Sequence, residues 1–157
     1  MTEKSLTIKY KEYVNIDSLD KADKELMLRA IAATDGAYAP YSGFHVGAAL
    51  RLADGSIVVG NNQENVAYPS GLCAERTALF AASAQRPDMR NYTALAIAGR
   101  NAAGELCEAS PCGACRQVML EYEQQQGHAL RVLCLQRGSS VREASSVADL
   151  MPFSFGM

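Results

Sequence analysis

The 157-residue chain has no apolar run approaching the roughly 20 residues that a membrane-spanning helix needs. It has no strongly basic stretch either: the net charge is −2 and the isoelectric point about 5.7. A long phosphate backbone therefore makes a poor partner, and neither nucleic-acid nor membrane binding is expected. The first residues, Met1-Thr2-Glu3-Lys4-Ser5-Leu6, carry no apolar segment after their charges. No secretory signal is expected from them, and a cytoplasmic location is. Internal repeats, low-complexity tracts and linkers are missing, so one domain is the simplest reading. An even cysteine framework is missing too. The five cysteines are an odd number and three of them stand at metal-ligand spacing. That pattern points to a reducing compartment and against disulfides.

What is present is enough apolar material for a core, 48% of the residues. Residues 6–14 alternate weakly, Leu6, Ile8 and Tyr10 against Thr7, Lys9 and Lys11, as an edge strand would. Ser18 is placed to cap a helix. After it Leu19, Ala22, Leu26, Ala30 and Ala33 recur at helical spacing, widened by Met27 and Ile31. That helix ends near Gly36, before Pro40. Residues 44–52 and 56–60 read as a hairpin around Asp54-Gly55. Residues 61–72, with Pro69 and Gly71, read as a loop. Helices are expected over 73–85 and over 112–126, the second ended by Gly127. Strands are expected over 92–98, 130–135 and 141–144, with a short helix from Ser146. The alternation in the second half implies parallel strands with helices on the faces. The expected fold is a three-layer α/β/α domain around a mixed sheet of about five strands. Residues 1–17 are expected to form an N-terminal extension without an assigned role, and 18–157 the main domain.

Two cysteine clusters stand out, Cys73-Ala74-Glu75 and Pro111-Cys112-Gly113-Ala114-Cys115. A structural zinc takes four protein ligands, whereas a catalytic zinc takes three and leaves one position to water. Three cysteines with a non-ligand Glu75 as proton shuttle fit the second case. Both clusters fall at expected helix starts, where partial positive charge and free N–H groups favour thiolate. Arg76 is placed to donate to the cysteine sulfurs. Pro111 suits a first turn, because it has no N–H in need of a partner. Other readings exist. Cys112 and Cys115 alone are also the spacing of a redox pair. Cys107 as a fourth ligand would make a structural zinc. Cys134, inside Leu133-Cys134-Leu135, reads as a small buried hydrophobe, and Cys107 by default the same.

These residues, read together, also carry a resemblance. Three cysteines beside a non-ligand Glu resemble the pattern of zinc-dependent nucleobase deaminases. The segments Ala37-Tyr38-Ala39-Pro40-Tyr41-Ser42-Gly43-Phe44-His45-Val46-Gly47-Ala48-Ala49, Asn62-Gln63-Glu64-Asn65, Cys73-Ala74-Glu75-Arg76-Thr77-Ala78, Ser110-Pro111-Cys112-Gly113-Ala114-Cys115-Arg116-Gln117 and Leu150-Met151-Pro152-Phe153-Ser154-Phe155 narrow it. Over about residues 20–155 the chain resembles cytidine deaminases of the small, homotetrameric, three-cysteine type. The resemblance implies Zn²⁺ as cofactor and a nucleoside as substrate, deaminated hydrolytically at C4 in pyrimidine salvage. It implies that Asn62 and Glu64 hold the ribose hydroxyls and that Phe44 packs against the base. The Ala74 N–H and the Ser110 carbonyl would grip the pyrimidine edge. Tyr68 would lie at a subunit boundary, and Phe155, better spaced than Phe153, would close a neighbour's pocket. Gln63 departs from the family, which has an apolar residue there, and its side chain is expected to point away from the ribose.

Overall fold

Along the longest strand, residues 92–100, side chains alternate in size as well as in direction. Leu95 and Ile97 enter one core cluster, while Ala94, Ala96 and Ala98 enter another on the opposite face. Period-two alternation with both faces buried is what a central strand requires. The computed structural model describes residues 1–155; the last two residues of the expected 18–157 domain lie outside the described ones. In chain order the elements are β1 (Tyr10–Tyr13), α1 (Lys21–Ala33), β2 (His45–Leu52), β3 (Ile57–Asn61), α2 (Ala74–Gln85), β4 (Tyr92–Arg100), β5 (Leu106–Cys107), α3 (Gly113–Gln126), β6 (Arg131–Leu135) and β7 (Val141–Ala144). The sheet runs β1-β7-β6-β4-β2-β3, with β5 beside the end of β4. Helix α1 packs on one face, and α2 and α3 on the other. The three-layer α/β/α architecture with a mixed sheet is as expected.

The sheet has seven strands rather than about five. Strand β1 adds four rungs to β7, from Tyr10 opposite Ala144 to Tyr13 opposite Val141. Strand β5 makes only two, Gly99 with Cys107 and Arg100 with Leu106, too few for a periodic signal. Among the seven strands of the sheet, parallel pairing is confined to β4 with β6; β6 and β7 are antiparallel. The start of α1 also differs. Asp20, not Ser18, is its cap, accepting from Asp23 N at 2.8 Å. Ser18 closes a short 3₁₀ turn capped by Asn15. Ala22 of the expected apolar stripe is exposed, and its neighbour Asp23 is buried instead.

Three buried carboxylates, Asp23, Glu143 and Glu123, hold distant segments together. Asp23 takes Arg51 Nη2 at 2.9 Å and also Arg131. Arg131 in turn reaches Glu143, Nε to Oε1 at 2.9 Å. Glu143, equally buried, accepts from the Tyr13 hydroxyl at 2.6 Å and from Lys11 at 3.2 Å. On the other face Glu123 gathers Leu130 N and Val147 N at 2.8 Å, Ser146 Oγ at 2.7 Å and Ala148 N at 3.2 Å. It thereby caps the short 3₁₀ turn Val147–Leu150 from the side of α3.

Two glycines set how closely the helices approach the hairpin. A Cβ at Gly47 would stand 2.1 Å from Ala30 O in α1. At Gly60 it would stand 2.4 Å from Ala78 N and 2.6 Å from Ala74 O, in the first turns of α2. Neither clash is with a flexible side chain, so neither is relieved by a rotamer change. Gly60→Ala should therefore destabilise the fold by about 1–3 kcal/mol, the range for overpacking, in urea unfolding. Gly113→Ala, where a Cβ meets nothing within 4 Å, should unfold close to the parent; equal midpoints for all three proteins would refute this account of α2.

Candidate active site

Helices α2 and α3 both begin with a cysteine in extended conformation. Cys73 is the N-cap of α2 and Cys112 the N-cap of α3, and neither side chain is spent on capping. Cys115, one turn into α3, is buried. Cys73 Sγ and Cys112 Sγ lie 3.8 Å apart, and the three sulfurs all lie within 4.8 Å of one another. A tetrahedral zinc with bonds of about 2.3 Å has sulfur–sulfur edges of about 3.8 Å. The donor set therefore fits zinc in both softness and span. Among the described residues Cys107 stands outside this group, so the four-cysteine alternative is not formed.

The sulfurs are unequal. Cys73 is drawn down to about 5, chiefly by a hydrogen bond from Cys115 and further by Arg76 and Cys112, against its partial burial. Cys115, the other side of that hydrogen bond, is pushed up. Arg76 Nη2 donates to Cys73 Sγ at 3.8 Å and to Gly71 O at 3.5 Å. Glu75 is 3% exposed. Burial first, then the charge of Cys73, pushes its carboxyl up to about 7. A carboxyl in that range is suited to take and return a proton near neutral pH.

The cluster opens into a cavity of about 850 Å³ whose wall includes Cys73, Glu75, Arg76 and Cys112. Phe44, Asn62, Glu64, Tyr68 and Ser110 line the same cavity, as does Gln63. Ala74 sits at the first helical position of α2, fully buried. Its N–H is one of those a helix start leaves without an internal partner. Tyr68 is 91% exposed and Phe155 81% exposed. Phe155 is outside the cavity wall; its carbonyl accepts from Gln117 Nε2 at 3.2 Å.

Sequence reasoning assigns Tyr41 and Ser42 no role, although both line the cavity. The Glu64 carboxylate accepts from Tyr41 N at 2.9 Å, from Ser42 N at 3.3 Å and from the Ser42 hydroxyl. The Ser42 hydroxyl and the Tyr41 N–H hold it below the usual carboxylate range. Ser42 Oγ also accepts from Phe44 N at 3.0 Å. Asn62 is bonded at both ends of its amide: Oδ1 accepts from Val46 N at 2.7 Å and Nδ2 donates to Phe44 O at 2.9 Å. The pair thus clamps the segment that carries Phe44. The only sequence signal is that Tyr41 and Ser42 stand in the same motif as Phe44.

The profile of the cytidine and deoxycytidylate deaminase zinc-binding region matches residues 20–128. Among curated proteins the cytidine deaminase of Halalkalibacterium halodurans is 47% identical over 100 residues, 63% of this chain and 71% of that one. That of Mycobacterium tuberculosis is 38% identical over 133 residues, covering 83% and 89%. Among solved structures, cytidine deaminase from Burkholderia pseudomallei superposes with a TM-score of 0.72 at 42% identity, covering 83% of this chain and 97% of the other. Profile, relatives and superposition agree, and the chain belongs to the zinc-binding cytidine and deoxycytidylate deaminase family.

Proposed function

We propose that this protein deaminates cytidine and deoxycytidine hydrolytically, giving uridine and deoxyuridine with release of ammonia, as a step of pyrimidine salvage in the cytoplasm. The observation that carries the reading is a buried carboxyl, Glu75, beside three converging sulfurs at the end of a cavity with room for a nucleoside. Cys73, Cys112 and Cys115 would hold zinc, which when bound would acidify a water molecule to near neutrality. Glu75 takes a proton from the attacking water and delivers it to N3 of the pyrimidine as the hydroxide oxygen bonds to C4; it then collects the remaining hydroxyl proton of that adduct and passes it to the amine, so that ammonia leaves and the C4 carbonyl forms. Arg76 offsets thiolate charge. The Ala74 N–H and the Ser110 carbonyl orient the base, Phe44 packs on it, and Asn62 with Glu64 holds the ribose. Residues 18–157 form the catalytic domain, with 1–17 as an extension.

Among the described residues no helix is long and apolar enough to cross a membrane. The exposure of Tyr68, Phe153 and Phe155 supports a homotetramer with closed symmetry, in which Tyr68 and Phe155 complete neighbouring pockets.

Glu75→Gln should keep the fold and one zinc per chain but lose more than the roughly 10²–10⁴-fold that general acid–base catalysis supplies. Metal analysis with an ultraviolet assay of cytidine reads both, and activity within a few-fold of the parent would overturn the role. Glu64→Ala should lower kcat/KM for cytidine by roughly tenfold or more, through loss of a hydrogen-bonding group matched to the substrate. The parent should prefer cytidine to free cytosine; equal activity on the two would remove the ribose pocket. Light scattering should give four times the chain mass. Mixing inactive Glu75→Gln chains with Phe155→Ala chains should restore part of the activity, and a tetramer without rescue would take the tail out of the site.

A further inference from the structure

Of the three sulfurs, Cys115 is buried and Cys73 half-buried, but Cys112 is exposed. Packing does little to fix the position of Cys112. Its side chain caps nothing, and it is reached through a single peptide from Pro111. The carbonyl of that peptide accepts from Arg116 Nε at 2.9 Å. The same guanidinium donates from Nη1 to Leu150 O at 3.1 Å. Leu150 ends the 3₁₀ turn Val147–Leu150, whose N-terminal amides are held by Glu123. Arg116 and Glu123 are seven residues apart on α3, two helical turns, and so share a face. A carboxylate thus meets the N–H end of the turn and a guanidinium its carbonyl end, each with the favourable sign.

We propose that Arg116 is a positioning residue for the metal centre: its planar fork braces the Pro111–Cys112 peptide against the C-terminal turn and so sets the placement of the exposed ligand Cys112. Arg116 touches neither metal nor substrate in this role. It acts through a peptide plane, and the turn it leans on is fixed independently at its other end by Glu123. A small cavity of about 120 Å³ borders the junction, bounded by Pro111, Arg116 and Leu150 and, from the extension, by Tyr10. The fork is what matters, because two carbonyls in different segments must be met at fixed directions at once. A lysine ammonium is a point donor on a flexible stem and does not reproduce this.

The inference rests on zinc at the three cysteines but not on the substrate. The test is the rate at which the zinc-loaded, full-length protein gives up metal to an excess of a chromophoric chelator. Arg116→Gln should release zinc roughly 10–100-fold faster than the parent, the usual effect of losing a group that orients a metal ligand. Arg116→Lys should fall between the two. Arg86→Gln removes the same charge at the far end of α2, where Arg86 pairs with Asp54, and should release zinc at the parent rate. Arg116→Gln folded by circular dichroism and releasing zinc within twofold of the parent would overturn the proposal. If that variant does not fold, Arg116→Lys decides, and a lysine protein indistinguishable from the parent overturns it as well. Cytidine turnover by the parent, measured in the same samples, separates the two claims. A parent that holds zinc and spares cytidine refutes the proposed function and leaves the Arg116 result standing.

Discussion

Bringing three cysteine sulfurs within 4.8 Å of one another raises an electrostatic problem as soon as a second of them ionises. Much of the surrounding architecture works to offset it. Two helices start at the same place, so two sets of unpaired N–H groups and two positive dipole ends face the sulfurs. Arg76 adds a full positive charge against Cys73. Both helices lie on the same face of the sheet. Convergence therefore depends on chain topology: the antiparallel hairpin hands the chain to α2, and the β4–β5 return hands it to α3 at the same end. Glu75 benefits from the same arrangement, because the turn that presents Cys73 carries it into a dry position facing the cavity.

The parts of this protein that can be read in the sequence are those with a short repeat or a fixed local spacing. Cys73 with Glu75, Cys112 with Cys115, the Asp54-Gly55 turn and the Gly127 helix stop all belong to that class. The parts that escape depend on partners far along the chain. Nothing near Asp23 says that Arg51 and Arg131 will arrive beside it, so periodicity draws the helix stripe through Ala22, which the fold leaves exposed. Strand β5 has two residues and no period. Strand β1 shows weak alternation because the sheet buries little of it; its side chains are largely exposed. Asn62 and Glu64 are legible as positions, yet their hydrogen bonds to residues 41–46 are not, since backbone donors leave no trace in composition.

The ion network on the α1 face has a different character from the sulfur cluster. Asp23 and Glu143 are almost fully buried, and each is matched by arginine. Such pairs add little net stability over an apolar core, but removing one partner strands a charge and is strongly destabilising. Tyr13, pushed up to about 12 mainly by its hydrogen bond to Glu143, stays a neutral donor throughout the physiological range. The network thereby ties the first strand, at the outer edge of the sheet, to the helix on the face opposite the cavity.

Gly47 and Gly60 lie on adjacent rungs of the β2–β3 ladder, opposite Asn61 and Ala48, and face opposite sides of the sheet. Helix backbone meets strand backbone on each side at nearly the same spot, so the molecule has a waist there. Elsewhere in the core, sequence drift has room: a methyl lost from one wall can be regained from the facing wall, and volume is shared between neighbours. At the waist there are no side chains through which to trade. Change at these two positions can be tolerated only by moving whole helices, one of which carries Cys73 and Glu75, and no second substitution nearby is able to make up the difference.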